Sequence, residues 1–144
     1  MTRFAEEIPG SFRVVSILAI VWMVLGCLSY LMHVTMAPED IAALPAGQAE
    51  LMNTTPPLVY GLFGIATWGG LVGAVLLFLK RRLAVPALLV SWIAATLQFL
   101  YVFAALDGLR LVGWSGTIMP IVIVGLGIFF WNYAKGAERK GWLR

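Results

Sequence analysis

Two long charge-free runs separated by three consecutive cations set the pattern of the chain. Residues 58–79 carry no charge, Lys80-Arg81-Arg82 follows, and residues 83–106 are again free of charge. A hydrocarbon core of ~30 Å is crossed by roughly 20 apolar residues in a helix. Each run therefore predicts a membrane span, and the cations predict a tight turn facing the headgroups. The logic extends to both sides, with spans at 12–33, 56–79, 83–106 and 111–133 in one domain covering 1–144. Short connections at 80–82 and 107–110 require neighbouring spans to be antiparallel. The expected fold class is an all-α integral membrane protein, a bundle of four transmembrane helices.

The polar stretches between the runs read as caps and breaks. Pro9-Gly10-Ser11 precedes the first span, with Ser11 as its expected N-cap. A signal peptide competes here, but the apolar run is longer than an h-region and Ser29-Tyr30-Leu31 is too bulky for a cleavage site. Residues 34–55 form an acidic loop. Pro38 suits a first helical turn, and Glu39 and Asp40 then sit at the positive end of the dipole. Ile41, Leu44, Leu51 and Met52, divided by Pro45-Ala46-Gly47, predict one or two short helices across the membrane surface. Thr55 is the expected cap of the second span and Pro56 its first residue. Pro120 predicts a kink near Gly116 in the fourth span, and residues 134–144 read as a basic tail.

Small residues recur at helical spacing in the second span. Gly61, Ala66, Gly69, Gly70 and Gly73 place pairs four apart on common faces, and Gly113 and Gly116 open the fourth span. Such faces let neighbouring membrane helices approach closely.

Composition then narrows the class. Hydrophobic residues make up 61% and charged residues 12%, a balance that would leave a soluble domain covered in apolar patches. The net charge of +3 is informative only by segment, and nucleic-acid binding is not expected. Arg3, Arg13, Lys80, Arg81, Arg82, Lys135, Arg139, Lys140 and Arg144 fall on one side of the threading and Arg110 alone on the other. By the positive-inside rule both termini and the Lys80-Arg81-Arg82 turn are cytoplasmic and the acidic loop external. Trp22, Trp68 and Trp92 read as packing residues, and Trp114, Trp131 and Trp142 as interfacial anchors.

Candidate chemistry is sparse. Gln98 is the clearest polar group inside a span, and Tyr101 and Ala105 share its helix face. Tyr30, His33, Tyr60, Gln98, Tyr101 and Asp107 fall at one membrane level and define a candidate outer pocket for a small polar solute or a quinone headgroup. The competing reading is one interhelical hydrogen bond from Gln98, with the tyrosines as anchors. His33 lacks a second histidine to complete a haem site, so a hydrogen bond to Asp107 or the acidic loop is expected. Cys27 reads as a small buried hydrophobe. No metal set, catalytic motif or cofactor is expected, and no titratable group lies near mid-membrane, as ion-coupled transporters require. The chain is therefore expected to be non-enzymatic. The first reading is an accessory or scaffold subunit packing against a larger membrane complex or a second copy. The second is a small-solute facilitator or lipophile-binding protein built on the Gln98 pocket.

The segment Pro38-Glu39-Asp40-Ile41-Ala42-Ala43-Leu44-Pro45-Ala46-Gly47-Gln48, followed by Pro56-Pro57 and a glycine-rich span, resembles small four-helix bacterial inner-membrane proteins. Some of these carry labels such as "sugar transporter" or are grouped with DoxX-like proteins. The resemblance implies a bacterial inner-membrane location and raises the expectation of small-molecule passage. It carries no functional residue across.

Overall fold

The computed structural model describes residues 7–144. Seven helices follow in order: α1 Gly10–Val34, α2 Pro38–Ala42, α3 Ala46–Thr54, α4 Pro57–Phe78, α5 Ala84–Ala104, α6 Gly108–Val112 and α7 Ser115–Arg139. Four of them, α1, α4, α5 and α7, are long and apolar enough to cross a membrane. The short helices α2 and α3 occupy the stretch between α1 and α4, as its proline and acid pattern predicted.

The most extensive contact joins α4 to α5. Ser91 Oγ donates to the Ala66 carbonyl at 2.6 Å, a hydrogen bond that crosses between the two helices. A Cβ on Gly70 would lie 2.5 Å from Met23 Sδ and 2.7 Å from Ser91 Oγ, so α1, α4 and α5 converge there. A Cβ on Gly73 would lie 2.9 Å from Leu88 Cδ2. The helix α1 seats Ser16, Ala19, Met23 and Cys27 inward. Its outward stripe is Val14, Leu18, Val21, Leu25, Leu28 and Met32, spaced alternately four and three apart. On the other flank Gly127 of α7 faces Trp92 of α5, where a Cβ on the glycine would lie 2.8 Å from Trp92 Cβ. Trp92 also packs on Trp131, with ring centroids 5.7 Å apart.

The four spans thus form a row, α1–α4–α5–α7. Its outer members meet at one end, where Phe12 stacks on Tyr133 at 6.2 Å and meets Trp142 edge-on at 5.8 Å. Among the described residues no comparable backbone packing joins α1 to α7. Apart from Ser91, the bonded serine and threonine hydroxyls in the spans turn back on the preceding turn. Ser16, Thr67, Thr96 and Thr117 all donate to the carbonyl four residues earlier, the available acceptor where no water competes.

Several expected boundaries shift. The fourth span does not begin at Leu111: α6 ends at Gly113, whose φ of +70° breaks the chain, and α7 starts at Ser115. Helix α7 continues through Pro120, and the break in the chain before it lies at Gly113. Pro9 and Pro56 occupy the N-cap positions in place of Ser11 and Thr55. The expected tail is mostly helix, and after it Trp142 and Leu143 are 6% and 1% exposed. Trp142 is therefore a core residue, whereas Trp114 is 77% exposed.

The glycines divide by this packing. Gly70 and Gly73 admit a neighbour, whereas a side chain on Gly61 or Gly69 would meet nothing within 4 Å. Gly70→Val and Gly73→Val are expected to destabilise the protein by about 1–3 kcal/mol through overpacking, while Gly61→Val stays near wild type. Denaturant titration in detergent micelles, followed by far-ultraviolet circular dichroism, measures the difference.

Candidate functional site

The candidate pocket residues lie toward the end of the row that carries the short helices. The lock at this end is between α3 and α6. Gly47 of α3 lies so close to the Leu111 carbonyl of α6 that a side chain could not be accommodated. Arg110 Nε donates to Asp107 Oδ2 at 2.7 Å, and its Nη2 lies 3.8 Å from Glu50 Oε1. The hydrogen bond to Asp107, then the charges of Asp107 and Glu50, hold the Arg110 guanidinium above its ordinary pKa. It stays charged through the physiological range, so this link responds to salt rather than to pH. Asp107 itself adopts φ +53° as the N-cap of α6, turning the chain out of α5.

Around this lock the candidate residues engage different immediate neighbours. Tyr30 and His33 both set their rings edge-on against Phe63, at 5.3 and 5.5 Å. His33 Nδ1 donates to the Ser29 carbonyl at 2.7 Å within α1, so the expected bond to Asp107 or the loop is not made. A carbonyl four residues back is nearer than any group on α3 or α6. Tyr60 donates to the Met52 carbonyl of α3 over a long 3.4 Å, tying the start of α4 to the short helix above it. Asp107 is engaged by Arg110. Gln98 and Tyr101 are half-buried on α5, and Ala105 is exposed just beyond the helix end. The aromatic organiser of this region is Phe63, which the sequence does not mark because one more phenyl ring adds nothing to an already apolar run.

The remaining topology residues, Lys80, Arg81 and Arg82, lie at the opposite end with the C-terminal segment. Arg82 N–H donates to the Arg144 carbonyl at 2.9 Å and Arg144 N–H to the Lys80 carbonyl at 2.7 Å. Of the cations expected on this side, Arg3 lies outside the described residues. Among the described residues no cluster of three His, Cys, Asp or Glu is arranged to hold a metal ion. The indole N–H groups of Trp92 and Trp131, enclosed where α5 meets α7, have no acceptor, and nothing in the structure explains them.

No protein-family model, no curated protein and no solved structure matches the chain. What defines the class is the architecture, a multi-pass membrane protein with four candidate spans.

Substituting Gly47→Val should push α3 away from α6 and speed amide exchange through residues 46–54, with the four long helices unchanged. Arg110→Gln should give a smaller effect of the same kind that disappears at high salt, since exposed pairs contribute ~0.2–1 kcal/mol and are screened. Hydrogen–deuterium exchange mass spectrometry at low and high ionic strength reads both.

Proposed function

We propose that the protein is a non-enzymatic accessory or scaffold subunit of a membrane assembly, acting through its outer helix faces. The observation that supports this is the state of the buried polar side chains. Ser16, Thr67 and Ser91 each give their hydroxyl to a backbone carbonyl, so these groups serve helix packing and do not form a recognition site for a solute. The outer faces are correspondingly large: 11% of the membrane-length window of α7 is buried, against 33% for α4. Gly61 on α4 and Gly125 on α7 are exposed positions where a side chain would meet nothing within 4 Å. In lipid, such small positions permit close approach by a partner helix, whether from a larger complex or a second copy.

The distribution of cations supports an orientation with both termini and the Lys80–Arg82 turn in the cytoplasm and α2, α3 and α6 outside. The sequence resemblance favours a bacterial inner membrane. A second reading, a small-solute facilitator or lipophile-binding protein, draws on Gln98, a half-buried amide on α5 near Tyr101.

Gentle extraction followed by native mass spectrometry tests the first reading, with a stoichiometric larger assembly as the expected result. Gly61→Ile with Gly125→Ile should then lower partner recovery roughly tenfold, the effect of about 1.4 kcal/mol, without altering the unfolding of the protein itself. A monomer carrying a small molecule that Gln98→Ala removes would overturn this and establish the second reading. For orientation, a cysteine at Gln48 should label from outside intact cells and one at Arg81 only after permeabilisation.

A further inference from the structure

The end of the row that carries the termini holds a groove that the packing role does not use. Two adjoining concavities of ≈ 460 and ≈ 480 Å³ share Ile8, Leu79 and Lys80. One continues to Arg81, Trp142 and Arg144, the other along Phe78, Phe12 and Arg13. Each concavity is thus lined by both cationic and apolar side chains. Among the described residues Glu7 is the acidic side chain in the lining, against the cations Arg13, Lys80, Arg81 and Arg144. Among the described residues the ion pairs are both made by Arg110, at the opposite end.

Helix-end chemistry explains why cations collect here but not the conformation that presents them. Positive charge at the C-termini of α4 and α7 complements their dipoles. Both helices close in the same way. Lys80 N–H donates to Leu77 and Arg81 N–H to Leu76; Gly141 N–H donates to Glu138 and Trp142 N–H to Ala137. This paired pattern places one residue in the left-handed region, a position that favours glycine. After α7 that residue is Gly141, at φ +77°; after α4 it is Lys80, at φ +59°. The chain thus keeps a long cation at a strained position, at the junction of both concavities. Phe78 and Leu79, 39% and 58% exposed, lie immediately on its membrane side.

We propose that this groove binds the phosphate headgroup of an anionic membrane lipid. Lys80 and Arg81, which line one concavity together, hold the phosphate, and Ile8 and Leu79 of the same lining flank the upper acyl chain. The shared chemistry is a phosphoester, and the apolar wall at the membrane boundary selects the lipid over a free phosphate. This inference does not depend on the proposed subunit role.

The test uses the full chain in detergent, with native mass spectrometry of dioleoyl phosphatidylglycerol or dioleoyl phosphatidylcholine added in equal amounts. Preferential retention of phosphatidylglycerol is expected, falling about fivefold in Lys80→Gly and in Arg81→Gln, as each cation near a membrane surface contributes at that level. Lys80→Gly should also unfold no earlier than wild type, because glycine adopts this backbone without strain. Lys135→Gln, at the same end but outside the groove, should retain the lipid as wild type does. Equal retention of both lipids, or an equal loss in Lys135→Gln, would overturn the site. Full displacement of phosphatidylglycerol by millimolar glycerol 3-phosphate would overturn the lipid assignment in favour of a soluble phosphoester. Should Lys80→Gly fail to fold, Arg81→Gln decides alone, with retention unchanged from wild type counting against the groove.

Discussion

The close approach of α4 to α5 is the contact on which the other helices depend. Lipid tails are as apolar as leucine, so no hydrophobic force draws membrane helices together once they are inserted. What remains is dispersion at short range and the occasional hydrogen bond. Ala66, Gly70, Gly73 and Ala74 supply the short range, and Ser91 supplies the bond, donated to the Ala66 carbonyl. With the pair in place, Met23 of α1 finds a seat over Gly70, and Gly127 of α7 fits against Trp92 on the far side of α5. Of the four spans, α7 has the smallest buried share and α4 the largest.

The two ends of that row are closed by different means. At the terminal end the closure is backbone-driven: α4 and α7 finish in the same double hydrogen-bonded turn, and Lys80, Arg82 and Arg144 then pair across. Trp142 and Leu143 fold back under the helices and join Phe12 and Leu77 in the main core. Lysine in the left-handed region costs about 1–2 kcal/mol relative to an unstrained backbone, a local strain that the surrounding hydrogen bonds and packing sustain. At the other end the closure is made by short helices, with the Gly47–Leu111 approach and the Arg110 links to Asp107 and Glu50.

This division bears on function. Tyr60, His33 and Asp107 find acceptors or donors close by in the chain, and the interior hydroxyls do the same within their helices. The buried indole N–H groups of Trp92 and Trp131 are exceptions. What the packing leaves open are the apolar outer faces of the helices and the cations gathered at one end.

The sequence by itself determined the four spans, the short helices after the first span and the end at which the cations gather. Each follows from a one-dimensional property: an apolar run long enough to cross hydrocarbon, a proline before acids, a cluster of charges. Element edges were less legible. The expected fourth span took in Leu111 because an apolar residue reads alike in α6 and α7, and only the positive φ of Gly113 separates them. The tertiary structure alone decided which small residues pack, since Gly69 and Gly70 are adjacent in sequence yet only Gly70 meets a neighbour. It also decided that Tyr30 and His33 gather on Phe63, and that Trp142 lies in the core. Helical spacing tells which residues share a face, but which face meets another helix depends on how the helices dock, and that is settled by atoms far apart in the chain.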